Sequence, residues 1–162
     1  MGVTDGLLGH NRDYATSYLP DQPLPPKLKL AVVACMDSRL DVFASLGLSV
    51  GDAHVIRNAG GVVTDDVIRS LVISQRKLGT EEIILVHHTD CGALTFTDDQ
   101  LRSELLEETG QKPSWSPESF QDLDKDLRQS MERVRTNPFV PSRDQVRGFV
   151  FDVHTGALRE VL

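Results

Sequence analysis

Residues 27–35 (KLKLAVVAC) pass from alternating charge into an almost unbroken apolar run, the pattern of a parallel strand covered on both faces. Shorter apolar runs at 53–57 (AHVIR) and 82–87 (EIILVH) predict two further strands. Between them, 64–78 (TDDVIRSLVISQRKL) carries helical spacing. Val67, Leu71 and Leu78 share a stripe, Thr64 stands at the N-cap, Asp65 and Asp66 suit the positive helix end, and Gly79 stops the run.

Two more helices are expected downstream. Residues 97–109 open on Thr97-Asp98-Asp99-Gln100, with capping-box spacing, and end at Gly110. Ser116-Pro117-Glu118 supplies a cap, a proline and an acid, predicting a helix from 116 to 135 that ends before Asn137-Pro138. Strands at 146–153 and 158–162 flank the turn His154-Thr155-Gly156-Ala157 and predict a closing antiparallel strand or hairpin. Up to Tyr18 the chain is weakly amphipathic, and Pro20, Pro23, Pro25 and Pro26 then force an extended connector. The expected architecture is α/β: a mostly parallel central sheet flanked by helices, as one domain over 1–162, with an arm at 1–26 and a core at 27–162.

Composition narrows the function. With 17 Lys+Arg against 24 Asp+Glu, the formal charge of -7 argues against nucleic acid or an anionic membrane surface as partner. The longest apolar stretches, at 30–35 and 83–86, fall far short of the roughly 20 residues that span a bilayer. Residues 1–10 lack the basic and apolar regions of a secretory signal. The only two cysteines, Cys35 and Cys91, are too few for a disulfide scaffold and point to a reducing compartment. A cytoplasmic protein is expected.

The chemistry gathers at two strand ends, where the ligand crevice of an open α/β sheet lies. One strand ends at Cys35-Met36-Asp37-Ser38-Arg39 and another at His87-His88-Thr89-Asp90-Cys91-Gly92. If those strands are parallel neighbours, Cys35, His88 and Cys91 reach one point. Two thiolates and an imidazole suit Zn²⁺ and leave its fourth position open, the catalytic arrangement. Asp37 can accept a hydrogen bond from water at that position, and Arg39 can hold the carboxylate bidentately. Released from Arg39, Asp37 could instead fill the open position. A Cys35–Cys91 disulfide is geometrically possible but leaves His88, Asp37 and Arg39 unexplained.

These residues carry a family resemblance. Cys35-x-Asp37-x-Arg39 and His88-x-x-Cys91-Gly92 resemble the zinc site of the β-class carbonic anhydrases, and Arg57-Asn58-Ala59-Gly60-Gly61 resembles that family's RNAG segment. The length fits the short bacterial and archaeal form. The resemblance implies one zinc per chain on Cys35, His88 and Cys91, joined by Asp37 only in a closed resting state, with Asp37 and Arg39 as the catalytic dyad. It implies reversible hydration of CO₂ to bicarbonate and a proton by zinc-bound hydroxide. It also implies an N-terminal helix reaching onto a partner, in a homodimer or a multiple of dimers.

The same zinc chemistry suits carbonyl sulfide or carbon disulfide, and a non-catalytic zinc or bicarbonate-binding module or a thiol redox sensor are the alternatives from other classes. Gly60 and Gly61 could bring backbone close to substrate, with Gly60 the candidate substrate-binding residue. Arg57 suits either an anion or a structural salt bridge. His87, opposite in alternation to His88, is expected to be packed or hydrogen-bonded. His10, His54 and His154 are proton-transfer candidates only because histidine titrates near neutral pH, and none is assigned to the site.

Overall fold

The computed structural model describes residues 2–162. In chain order its elements are α1 (Val3–Ser17), β1 (Leu30–Cys35), α2 (Val42–Leu46), β2 (Ala53–Asn58), α3 (Asp65–Leu78), β3 (Glu82–His88), α4 (Asp98–Thr109), α5 (Leu123–Arg135), β4 (Val146–Phe151) and β5 (Leu158–Val161). One five-stranded sheet runs in the order β2-β1-β3-β4-β5. Its first four strands are parallel, and β5 closes it antiparallel to β4. The expected α/β architecture, including the antiparallel closing strand, is the one found.

Both faces of the sheet are covered, as the unbroken apolar run of β1 requires. Every residue of β1 is buried. Ala31, Val33, Ile83 and Leu85 point to one side, against Val67 and Leu71 of α3 and Leu127, Met131 and Val134 of α5. Val32, Ala34 and Val86 point to the other, where Leu40, Val42, Phe120 and Phe151 meet them. This strict alternation sends the neighbours His87 and His88 to opposite faces.

The caps of α3 follow the sequence: Thr64 accepts from the Val67 N–H, and Gly79 takes the left-handed conformation at the C-terminus. Thr97 and Gln100 form the expected capping box of α4. The helix expected from 116, however, begins at Leu123, capped by Asp122. Asp98 explains the difference. Its carboxylate accepts from Ser116 Oγ at 2.9 Å, the Ser119 N–H at 2.8 Å and Ser119 Oγ at 2.6 Å, so the would-be cap is spent on α4. Glu118 then turns through φ 56° and pairs with Arg133 at 3.0 Å. The short α2, capped by Asp41, has no counterpart in the sequence reading.

The arm is helical, and no residue of α1 is buried. Val3, Leu7, Leu8, Tyr14 and Tyr18 all lie exposed. Among the described residues, no helix is long and apolar enough to cross a membrane.

Candidate metal centre

Strand pairing assembles the site. β1 and β3 are parallel neighbours in the register Leu30↔Glu82 to Ala34↔Val86, so their carboxyl ends emerge side by side. Cys35 is the last residue of β1, His88 the last of β3, and Cys91 follows in the next turn. Asp90 supports that turn at φ 53°, a left-handed conformation that aspartate tolerates better than most residues.

The three donor atoms lie within 4.8 Å of one another, and among the described residues they form the one such cluster of histidine, cysteine and acidic side chains. All three residues are buried, His88 completely. The sulfurs of Cys35 and Cys91 stand 3.9 Å apart, and both thiols are free. Two sulfurs bound at 2.3 Å to a tetrahedral zinc would be separated by roughly 3.8 Å, so the pair is already spaced for that ion.

His88 completes the donor set through its tautomer. Its Nδ1 lies 2.8 Å from the Thr89 carbonyl, which can only accept, so Nδ1 carries the proton. Nε2 is therefore the nitrogen left to bind, and it is buried without a hydrogen-bond partner. An unsatisfied buried nitrogen in such a cluster is costly unless something binds there. The backbone carbonyl on the far nitrogen is the usual way a metal-binding imidazole is oriented. The residues fit zinc.

The thiols are electrostatically unequal. Cys35 is pushed down to about 4, first by its hydrogen bond with Cys91 and further by His88, against the opposing effect of burial. The same contact, with burial, pushes Cys91 up.

Asp37 stands beside the triad, its Oδ2 3.8 Å from His88 Nε2. Arg39 grips it three ways: the backbone N–H and Nε donate to Oδ1 at 2.9 and 3.0 Å, and Nη2 donates to Oδ2 at 2.8 Å. Arg39's side-chain hydrogen bonds, then its backbone N–H, hold the Asp37 carboxyl well below the usual carboxylate range, against a small effect of burial. The same Nη2 also donates to the Asp90 carbonyl at 2.9 Å, tying the loop after β1 to the loop after β3.

Residues beyond the donor set and the Asp37/Arg39 pair hold the strand ends in place. Arg57 forms no salt bridge among the described residues, contrary to one of its two expected roles. It donates instead from Nε to the Cys35 carbonyl at 2.9 Å and from Nη2 to the Asp37 carbonyl at 2.7 Å. The Asn58 carbonyl accepts from the Met36 N–H at 2.8 Å, extending the β1–β2 pairing past Cys35. Gly60 and Gly61 are buried, at φ 78° and 70°. A Cβ on Gly60 would stand 3.0 Å from Val62 and 3.2 Å from Phe120, with Ala93 at 3.5 Å. His87 is hydrogen-bonded to Asp126 at 2.8 Å and stacked on Phe120, as its place in the alternation implied.

Comparison with known proteins agrees with this geometry. Residues 30–158 match the family model described as carbonic anhydrase. β-Carbonic anhydrase 1 of Mycobacterium tuberculosis is 60% identical over 161 residues, covering 99% of each chain. A carbon disulfide hydrolase of Acidithiobacillus thiooxidans is 37% identical, covering 84% of this chain and 78% of its own. The crystal structure of a carbonic anhydrase from Streptococcus mutans superposes with a TM-score of 0.93 at 43% identity, covering 100% of this chain and 99% of that one. The chain belongs to the β-class carbonic anhydrases, a family of enzymes.

Proposed function

We propose that this protein catalyses the reversible hydration of CO₂ to bicarbonate and a proton, with one zinc per chain held by Cys35, His88 and Cys91. The observation that carries the reading is the buried, unpartnered Nε2 of His88 in a cluster of donor atoms within 4.8 Å of one another, whose two sulfurs are already at tetrahedral spacing. When bound, zinc lowers the pKa of a water molecule at its open position and so supplies a nucleophile at neutral pH.

The chain's own residues do the rest. Asp37 is ionised, and as a pure acceptor it takes a hydrogen bond from the attacking oxygen and turns that oxygen's lone pair toward the CO₂ carbon. Arg39 keeps Asp37 charged and fixes both of its oxygens, so the carboxylate neither takes up the proton nor swings onto the metal. A closed state with Asp37 as a fourth ligand would need these bonds to break. Gly60, packed near Ala93 two residues beyond Cys91, is assigned to the substrate's approach.

Carbon disulfide or carbonyl sulfide hydrolysis is the second reading, favoured by relatives named carbon disulfide hydrolase at 32–37% identity. Parallel assays with CO₂, COS and CS₂ on zinc-loaded protein separate the two. CO₂ hydration faster than either sulfur reaction supports our reading, and a dominant rate with COS or CS₂ overturns it.

The exposed apolar side chains of α1 support self-association, at least as a homodimer, with the arm lying on a second copy. Sedimentation of a Leu7→Asp, Leu8→Asp variant is expected to give monomers, and an unchanged oligomer would contradict the role of the arm. Two thiolate ligands require reducing conditions, which supports a cytoplasmic setting.

A further inference from the structure

Each CO₂ hydrated releases one proton, which has to leave the site before the next turnover. Asp37 is a poor carrier because Arg39 holds it ionised. His87 is buried against Asp126 on the opposite face of the sheet. His54 lies near the amino end of β2, paired in register with Ala31, and is bonded to Ser74 at 2.8 Å. His10 sits on the arm.

His154 is placed differently. It lies in the turn after β4, at the carboxyl end of the strand paired to β3. That turn is tied to the ligand loop twice: the Thr89 N–H donates to the Phe151 carbonyl at 2.9 Å, and the Val153 N–H donates to Thr89 Oγ1 at 3.0 Å. The His154 N–H is held by Asp152 at 2.8 Å. Its Nε2 meets Asp90 Oδ2 at 2.9 Å, while the side chain remains 74% exposed. Asp90 immediately precedes Cys91, and its carbonyl receives the Arg39 Nη2 that also grips Asp37. A solvent-facing imidazole is thus bonded to the side chain of the residue that precedes a candidate metal ligand. With Nε2–H donated to the Asp90 carboxylate, Nδ1 is the basic nitrogen.

We propose that His154, oriented by Asp90, carries the proton released by hydration from the mouth of the site to bulk buffer. Water divides into a hydroxide, which adds to the carbon of CO₂, and a proton, which bonds to His154 Nδ1 through intervening solvent. The imidazolium then gives that proton to a buffer base and returns to neutral imidazole. Asp90 is a positioning residue that selects the tautomer. The inference rests on the CO₂ reading above.

The test is stopped-flow CO₂ hydration by zinc-loaded parent and His154→Ala protein at low and high buffer. At low buffer the variant is expected to lose kcat by about tenfold or more, the scale of positioned proton transfer, with kcat/KM changed less than about twofold and kcat restored by added imidazole. An unchanged kcat at low buffer overturns the proposal, as does an equal loss of kcat and kcat/KM that imidazole does not rescue. A parent that fails to hydrate CO₂ defeats the CO₂ reading and this one together; an active parent with an indifferent variant defeats this one alone. A second readout needs no turnover: in metal-free protein, nitrogen NMR is expected to show His154 held with its proton on Nε2, a bias that Asp90→Ala removes. A tautomer indifferent to Asp90→Ala contradicts the positioning role.

Discussion

Gly61 lies so close to Cys35 that a Cβ on it would stand 2.8 Å from the Cys35 backbone nitrogen, with Ala34 C and Val86 O each at 3.1 Å. The glycine is wedged between the ends of β1 and β3, where Cys35 and His88 leave the sheet. Its φ of 70° penalises any side chain a second time. Gly61→Ala is therefore expected to cost about 2–4 kcal/mol and to weaken zinc retention, because the clash falls on backbone that cannot turn aside. Urea denaturation with metal analysis of the purified variant checks both. A variant as stable as the parent would show that the strand ends part easily.

Arg57 braces the site from below, with one guanidinium joining the carbonyls of a ligand and of Asp37. Arg57→Ala removes two charge-assisted hydrogen bonds and is expected to destabilise the fold by about 1–3 kcal/mol and to lower kcat. Arg57→Lys, which lacks the planar fork, should restore only part of this. Full recovery by lysine would mean that charge alone suffices there.

Asp37 and Arg39 should separate chemistry from metal binding. Asp37→Ala and Arg39→Ala are expected to keep about one zinc per chain while losing CO₂ hydration on the order of 100-fold or more. Zinc content and stopped-flow rate are read on the same sample. Full activity in Asp37→Ala would remove the carboxylate from the mechanism.

The unequal thiols predict a pH signature in the reduced, metal-free protein. Cys35, lowered to about 4 by its hydrogen bond with Cys91, is expected to become a thiolate as pH rises through that value. Cys91, raised by the same contact and by burial, stays protonated through neutral pH. Absorbance near 240 nm should therefore report one thiolate per chain at neutral pH, and Cys91→Ala, which removes the donor, should move the Cys35 step upward. Two thiols titrating together in the ordinary cysteine range would contradict the pairing.

Much of this was legible in the residues because the signals were local and agreed with one another. The apolar run at 30–35, the capped stripe at 64–78 and the run at 82–87 gave a parallel pair, and that pairing alone brings Cys35 to His88 and Cys91. What escaped depends on contacts distant in sequence. Ser116-Pro117-Glu118 has good capping chemistry, yet Asp98, eighteen residues earlier, captures Ser116. Arg57 has no partner within reach of a sequence pattern, since it binds backbone carbonyls, which every residue carries. Nothing in the sequence set His154 apart from His10 and His54, because its contact is with Asp90, 64 positions away.

The most direct test of the central claim is stepwise return of zinc to the metal-free, reduced protein, following CO₂ hydration by stopped flow at each addition. Activity is expected to rise in proportion to bound zinc and to level off at one zinc per chain, with Cys35→Ser and Cys91→Ser neither binding the metal tightly nor gaining activity. Zinc bound at that stoichiometry with no CO₂ hydration, or hydration that ignores zinc, would contradict the account.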